Sequence, residues 1–259
     1  MSFAQLKDVR IHYDLDGPAN APTLVFSNSL GANLSMWDQQ LPAFRKQFRV
    51  LRYDTRGHGQ SSTTPSPYNI EQLARDVLAL LVNLRLDRVH FCGLSMGGMT
   101  GMWLALNAPQ VLHRLVFCNT AAKIGDAAGW NSRIDAVRKS GMKSVSAAVI
   151  ERWLSPAFRT NSPEITAATQ GMLESTDLDG YIANCAAVRD FDARETVSAI
   201  RVPTLVISGT HDPATTPAEG RFLAEKILGA RYVELNAAHL SNIEARDRFN
   251  SELTAFLLA

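Results

Sequence analysis

The stretch HFCGLSMGGMT, residues His90 to Thr100, sets Ser95 between Gly93 and Gly97. A serine hydroxyl is a weak nucleophile until a base takes its proton, so a G-x-S-x-G spacing has two readings. Ser95 is a nucleophile on a sharp strand-to-helix turn, or it is a helix N-cap beside packing glycines. The run RVHFCGL before it is apolar and β-branched, and Met96–Asn107 after it has a helical pattern. That places Ser95 at the carboxyl end of a strand, where open α/β sheets bind their ligands. The N–H of Met96 starts the helix, faces the same point as the serine hydroxyl and is suited to hold an oxyanion.

A nucleophilic serine needs a base, and six histidines are available. His12 and His90 lie within strand patterns, His113 precedes one, His58 lies in the Gly-rich turn RGHGQS, and His211 neighbours an aspartate. His239, in NAAHLSNIEARDRF, follows the last strand run and precedes the last helix. It therefore sits in a loop on the same rim as Ser95. The base needs an orienting carboxylate. PTLVISGTHDPATTP puts Asp212 just beyond the preceding strand, in a polar loop bounded by prolines. Asp54 and Glu244 are the alternatives. Asp54, in RYDTRGHG, also follows a strand, but its neighbours read as a turn held by its own hydrogen bonds. The chain order Ser95, Asp212, His239 is the order found in hydrolases built on a doubly wound sheet.

These residues need a sheet to hold them on one rim. Apolar, β-branched runs recur: RIHYDL, TLVFSNS, FRVLRYD, RVHFCGL, RLVFCNT, PTLVISG and RYVELN. Helical patterns lie between many of them, at Ile70–Leu84, Met96–Asn107 and Ala218–Leu228. Nearly continuous apolar runs imply strands buried on both faces of a parallel sheet, and the alternation with helices implies a doubly wound α/β fold. One connection is far too long for a simple crossover, which needs only a dozen or so residues. About 80 residues separate LVFCNT from TLVISG, and they carry four helical patterns, Trp130–Lys139, Ser144–Leu154, Glu164–Ser175 and Leu178–Val188, with SPAF and NSPE as breaks. The expectation is a core of residues 1–121 and 198–259, with residues 122–197 a helical cap over Ser95, inserted after the sixth main-sheet strand.

Composition narrows the function classes. A chain of 259 residues that is 46% hydrophobic and 20% charged can bury a sizeable core. A net charge of +1 gives no reason to expect nucleic acid or an anionic membrane surface as partner. MSFAQLKDVR does not read as a signal peptide, and no apolar stretch approaches the roughly 20 residues of a membrane span. Cys92, Cys118 and Cys185 have no CxxC spacing and read as small core residues. No His or Cys pair stands at metal-ligand spacing. A cytoplasmic protein without metal or cofactor is expected; oligomeric state is not legible.

The whole chain resembles the α/β-hydrolases. FSNSLGANLSMWD is similar to the loop that follows the third strand in that family and supplies an oxyanion donor; YDTRGHGQSS, GLSMGG, GTHDPATTP and AAHLSNIE match its other signature stretches. Asn28-Ser29 stands where many members have His-Gly, a departure that leaves the backbone donor intact. By its place in that motif, the N–H of Leu30 is the second oxyanion donor beside Met96. NSLGANLSMWD, NTAAKIGDAAGWNSRIDAV and GYIANCAAVRDFDAR more narrowly resemble the 3-oxoadipate enol-lactonases. That resemblance implies hydrolysis of 3-oxoadipate enol-lactone to 3-oxoadipate in the breakdown of aromatic compounds, with Ser95, His239 and Asp212 as the catalytic residues.

Such a lactone carries a free carboxylate. WNSR places Trp130 and Arg133 three residues apart, on one face of a helix. An arginine can grip a carboxylate with two parallel hydrogen bonds and a tryptophan can cover the ring; alternatively Arg133 is solvated and Trp130 packs the cap. Lys123, Arg138 and Arg189 compete for the role, although Arg189 and Asp190 also read as a simple pair. The same catalytic residues would serve another carboxylesterase or a perhydrolase-like enzyme. A haloalkane dehalogenase is disfavoured, because Ser95 stands where an aspartate is needed. A hydrolase-fold receptor for a small lactone is the alternative from outside enzymes.

Overall fold

The computed structural model describes all 259 residues, Met1–Ala259. Its single sheet has eight strands: β1 (Ser2–Gln5), β2 (Arg10–Asp16), β3 (Thr23–Ser27), β4 (Arg49–Tyr53), β5 (Val89–Leu94), β6 (Leu112–Cys118), β7 (Thr204–Gly209) and β8 (Arg231–Leu235). They are ordered β1-β2-β4-β3-β5-β6-β7-β8. β1 pairs antiparallel with β2, and β2 with β4; every other neighbour is parallel. β3, β5 and β7 are buried along their whole length, as their apolar runs require. β1 is not among the runs read from sequence: it has four residues at the sheet edge and buries only Ala4, too little for a two-residue period to register.

Helices α1 (Leu41–Phe44), α2 (Ile70–Asn83) and α3 (Met96–Asn107) connect the first strands, and α9 (Pro217–Lys226), α10 (Ser241–Glu244) and α11 (Arg246–Leu257) follow β7 and β8. Between β6 and β7 lie α4 (Ala127–Ser140), α5 (Lys143–Trp153), α6 (Pro156–Asn161), α7 (Pro163–Glu174) and α8 (Leu178–Asp190). That is one helix more than the four patterns expected. The two proline breaks are helix starts: Pro156 and Pro163 occupy the first turns of α6 and α7, where a missing N–H costs nothing. The Ser155 hydroxyl caps α6 by accepting the Phe158 N–H at 3.2 Å. The chain leaves and rejoins the sheet side by side, because the Ala193 N–H donates to the Ala122 carbonyl at 2.8 Å.

Alternate residues of each central strand point to opposite faces. Leu24 and Phe26 of β3 join one apolar cluster, and Val25 between them joins another. The second cluster includes Val77 and Leu80 of α2. The first runs past the end of the sheet to take in Val137 of α4, Leu173 of α7 and Ala183 of α8. Each large side chain buried there contributes about 1.5–3 kcal/mol, so the inserted helices are held by the same core that holds the sheet.

Candidate active site

Ser95 follows β5 directly and has φ 57° and ψ −116°, a conformation that costs a non-glycine residue roughly 1–3 kcal/mol. Its surroundings enforce it. The Ser95 N–H donates to the Cys118 carbonyl at 2.9 Å, and its carbonyl accepts the Thr120 hydroxyl at 2.7 Å. A side chain on Gly93 would meet the Gly97 carbonyl oxygen at 2.2 Å, and one on Gly97 would meet the Ser27 carbonyl oxygen at 2.3 Å. The two glycines flanking Ser95 are thus required by the turn between β5 and α3. The Ser95 side chain makes no cap hydrogen bond to α3, which removes the N-cap reading.

Asp212 and His239 lie beyond β7 and β8 on the same rim. Nδ1 of His239 is 2.8 Å from Oδ2 of Asp212, and both side chains are almost wholly buried. The same carboxylate oxygen accepts the Thr215 hydroxyl at 2.6 Å and Nδ2 of Asn119 at 2.9 Å. Oδ1 accepts the N–H groups of Ala214 and Thr215. Burial alone would raise the Asp212 pKa, but the charge of His239 and these hydrogen bonds outweigh it and hold the carboxyl down at about 2. With Nδ1 committed to Asp212, Nε2 of His239 is the nitrogen left for the cavity. The two other acids are engaged elsewhere. Asp54 accepts from Leu34 N–H, Gln60 N–H and His12 Nδ1, and so holds a turn. Glu244 accepts the N–H groups of Ser155 and Ala238.

The loop after β3 carries Leu30. Asn28 anchors it by donating to the Tyr53 carbonyl at 2.8 Å and accepting the Trp37 indole N–H at 2.9 Å. Gly31, with φ +82°, donates its N–H to Nε2 of His58 at 2.8 Å. Met96 is the first residue of α3, so its N–H has no acceptor within that helix. The N–H groups of Leu30 and Met96 are therefore spare donors; Met96 adjoins Ser95 in the chain, and Leu30 lines the same cavity as Ser95.

Ser95, His239 and Leu30 line a cavity of about 320 Å³, at the small end of the range for ligand pockets. The inserted helices roof it with Trp130 and Arg133 of α4, Arg152 and Trp153 of α5, and Tyr181 of α8. The Arg133 guanidinium lies over the Trp130 ring, 4.7 Å from its centroid, and the Trp130 indole N–H is fixed on the Ile124 carbonyl at 2.7 Å. The competing cations are occupied elsewhere. Lys123 points at the carbonyls of Arg189 and Phe191, Arg189 pairs with Asp190, and Arg138 is exposed beside Asp135.

Sequence reasoning missed Arg152 and Asn119 here, and gave His58 and Glu244, weighed as base and acid, no supporting part in the site. Arg152, Asn119 and His58 reach the site only through contacts between elements distant in the chain. Asn119 alone left a trace, since it ends the β6 run on the same rim. Glu244 ties the His239 loop to Ser155. No group of three or more His, Cys, Asp or Glu side chains is placed to hold a metal, and no helix is long and apolar enough to cross a membrane.

The family model for the alpha/beta hydrolase fold matches residues 22–246. 3-Oxoadipate enol-lactonase 2 of Acinetobacter baylyi is 43% identical over 251 residues, which cover 97% of this chain and 94% of that protein. 3-Oxoadipate enol-lactonase 1 of the same organism is 39% identical over 243 residues, covering 94% and 91%. The crystal structure of the enol-lactonase from Burkholderia xenovorans LB400 covers 100% of both chains, with a TM-score of 0.98 and 47% sequence identity.

Proposed function

This chain belongs to the α/β-hydrolase family, and on that premise we propose that it hydrolyses 3-oxoadipate enol-lactone to 3-oxoadipate. The observation that carries the reading is the cavity that unites Ser95 and His239 with a roof bearing Trp130 and Arg133. Relatives named for this activity, aligned over nearly the whole chain including the inserted helices, support it. We take residues 122–197 as the lid and the remainder as the catalytic core. A cytoplasmic setting is part of this proposal; the three free cysteines suit a reducing compartment.

In this mechanism Ser95 Oγ attacks the lactone carbonyl while Nε2 of His239 takes its proton. The N–H groups of Leu30 and Met96 hold the oxyanion. Asp212 fixes the imidazole tautomer and stabilises the imidazolium. The C–O bond of the ring breaks, and His239 returns the proton to the departing enol oxygen. The enol ketonises, which makes ring opening effectively one-way. Water, activated by His239, then attacks the acyl-serine ester and frees the second carboxylate. Arg133, backed by the Trp130 ring, receives the carboxylate that the lactone already carries. The chemistry draws on side chains and backbone amides alone.

A spectrophotometric assay on freshly generated enol-lactone, run beside p-nitrophenyl esters, tests the reading. Fast multiple turnover of the lactone supports it. Preference for neutral esters would point to a general carboxylesterase, and a single slow turnover to a receptor.

A further inference from the structure

Arg133 on α4 and Arg152 on α5 face one cavity from two different helices. The only carboxylate lining that cavity is Asp126, and its Oδ1 caps α4 by accepting the Gly129 N–H at 2.7 Å. Arg152 makes no ion pair with a carboxylate; burial and then the nearby charge of Arg133 both press its pKa down. Elsewhere the protein treats buried arginines differently. Arg52 is held by Asp14 and Asp38, and Arg56 by Asp8 and Asp76. Two half-buried guanidinium groups without a counter-charge are costly. An anion between them removes the cost, and only the ligand can supply it.

The backbone fixes Arg152 relative to the catalytic loop. Its carbonyl accepts the His239 N–H at 3.4 Å, and the Trp153 carbonyl accepts the Leu240 N–H at 2.9 Å. The Arg133 face is covered by Trp130, so its N–H edge is what remains for a ligand. A carboxylate has about four lone-pair sites, enough for a fork from each arginine.

We propose that Arg133 and Arg152 form a two-guanidinium site for the carboxylate of the ligand, with Arg152 as the second specificity-determining cation. The ligand class is short-chain carboxylates. The proposal rests on the enol-lactonase reading for the identity of that anion.

The test compares wild type, Arg152→Gln and Arg152→Lys, with the exposed Arg138→Gln as control. Adipate is used as competitive inhibitor of p-nitrophenyl acetate hydrolysis, and the ratio of kcat/KM for the enol-lactone to that for a neutral lactone is measured alongside. Arg152→Gln is expected to raise the adipate inhibition constant and lower the ratio by roughly ten- to hundred-fold, the worth of a hydrogen bond to a charged group. Arg152→Lys should recover part of both, because an ammonium lacks the planar fork. Adipate should raise the Tm of wild type more than that of Arg152→Gln, and that shift also reveals whether the variant is folded. An unchanged inhibition constant in a folded Arg152→Gln would overturn the proposal. Adipate inhibition needs no lactone turnover. A wild-type protein that ignored the lactone would overturn the functional reading above, while the inhibition comparison would still decide the role of Arg152.

Discussion

The backbone N–H of Gly31 donates to Nε2 of His58 at 2.8 Å, so the loop that presents the Leu30 amide is held by an imidazole that must be unprotonated at that nitrogen. Burial keeps it so, pushing the His58 pKa down from 6.5 to about 4. His58→Ala is expected to lower kcat by about ten-fold or more for lactone and neutral ester alike, since an oxyanion donor is worth 10²–10³ in rate and here only its support is lost. A steady-state comparison of the two substrates checks this; a loss confined to the anionic substrate would place His58 in carboxylate binding instead.

The same shift predicts acid sensitivity. His90 is also pushed down to about 4, by burial first and then by the charges of His113, Arg114 and Arg88. Between pH 6.5 and 4 both rings stay neutral in the folded chain while the unfolded chain takes up protons, so stability falls as the pH drops through that window. For His58 the shift corresponds to something on the order of 3 kcal/mol. Asp212, held at about 2, adds a loss only at lower pH, below its ordinary value of 3.8. Calorimetric Tm should be flat above about pH 6.5 and fall below it, with a shallower fall in His58→Gln.

Asn119 adopts φ +43° and donates to Asp212 while accepting the Ser241 hydroxyl at 2.5 Å. The bond to Asp212 helps hold that carboxylate in place. Asn119→Ala should lower kcat several-fold with little change in KM, because Thr215 and two backbone N–H groups still hold Asp212. A change confined to KM would contradict that assignment.

Glu244 joins the start of α6 to the loop that carries His239 by accepting from Ser155 and Ala238. Glu244→Ala strands two backbone donors and is expected to cost about 1–3 kcal/mol of stability. Hydrogen exchange at Ser155 and Ala238 should accelerate together. Acceleration at one site alone would mean that the two segments are held independently.

The parts of this arrangement legible in sequence are those written in consecutive residues. Ser95 announces itself through Gly93 and Gly97, whose absent side chains the turn demands. His239 and Asp212 each stand a few residues beyond an apolar strand run, and strand ends share a rim in a parallel sheet. Trp130 and Arg133 share a helix face through their spacing. Arg152 offers no such signal, because which face of α5 meets the cavity is set by pairing of the 152–155 segment with the 238–240 loop. β1 was invisible because one buried residue makes no pattern, and α6 because a proline was read as an interruption where it begins a helix.

The central claim is that Ser95, served by His239 and Asp212, opens an anionic enol-lactone. It is tested most directly by kcat/KM for the freshly generated lactone in wild type, Ser95→Ala and Asp212→Asn, with folding checked by circular dichroism. Rapid turnover by wild type is predicted, with kcat reduced by roughly 10⁴-fold or more in each folded variant, and with Ser95→Ala/His239→Ala little worse than Ser95→Ala. A wild-type rate no faster than spontaneous hydrolysis, or a folded Ser95→Ala that retains the wild-type rate, would contradict it.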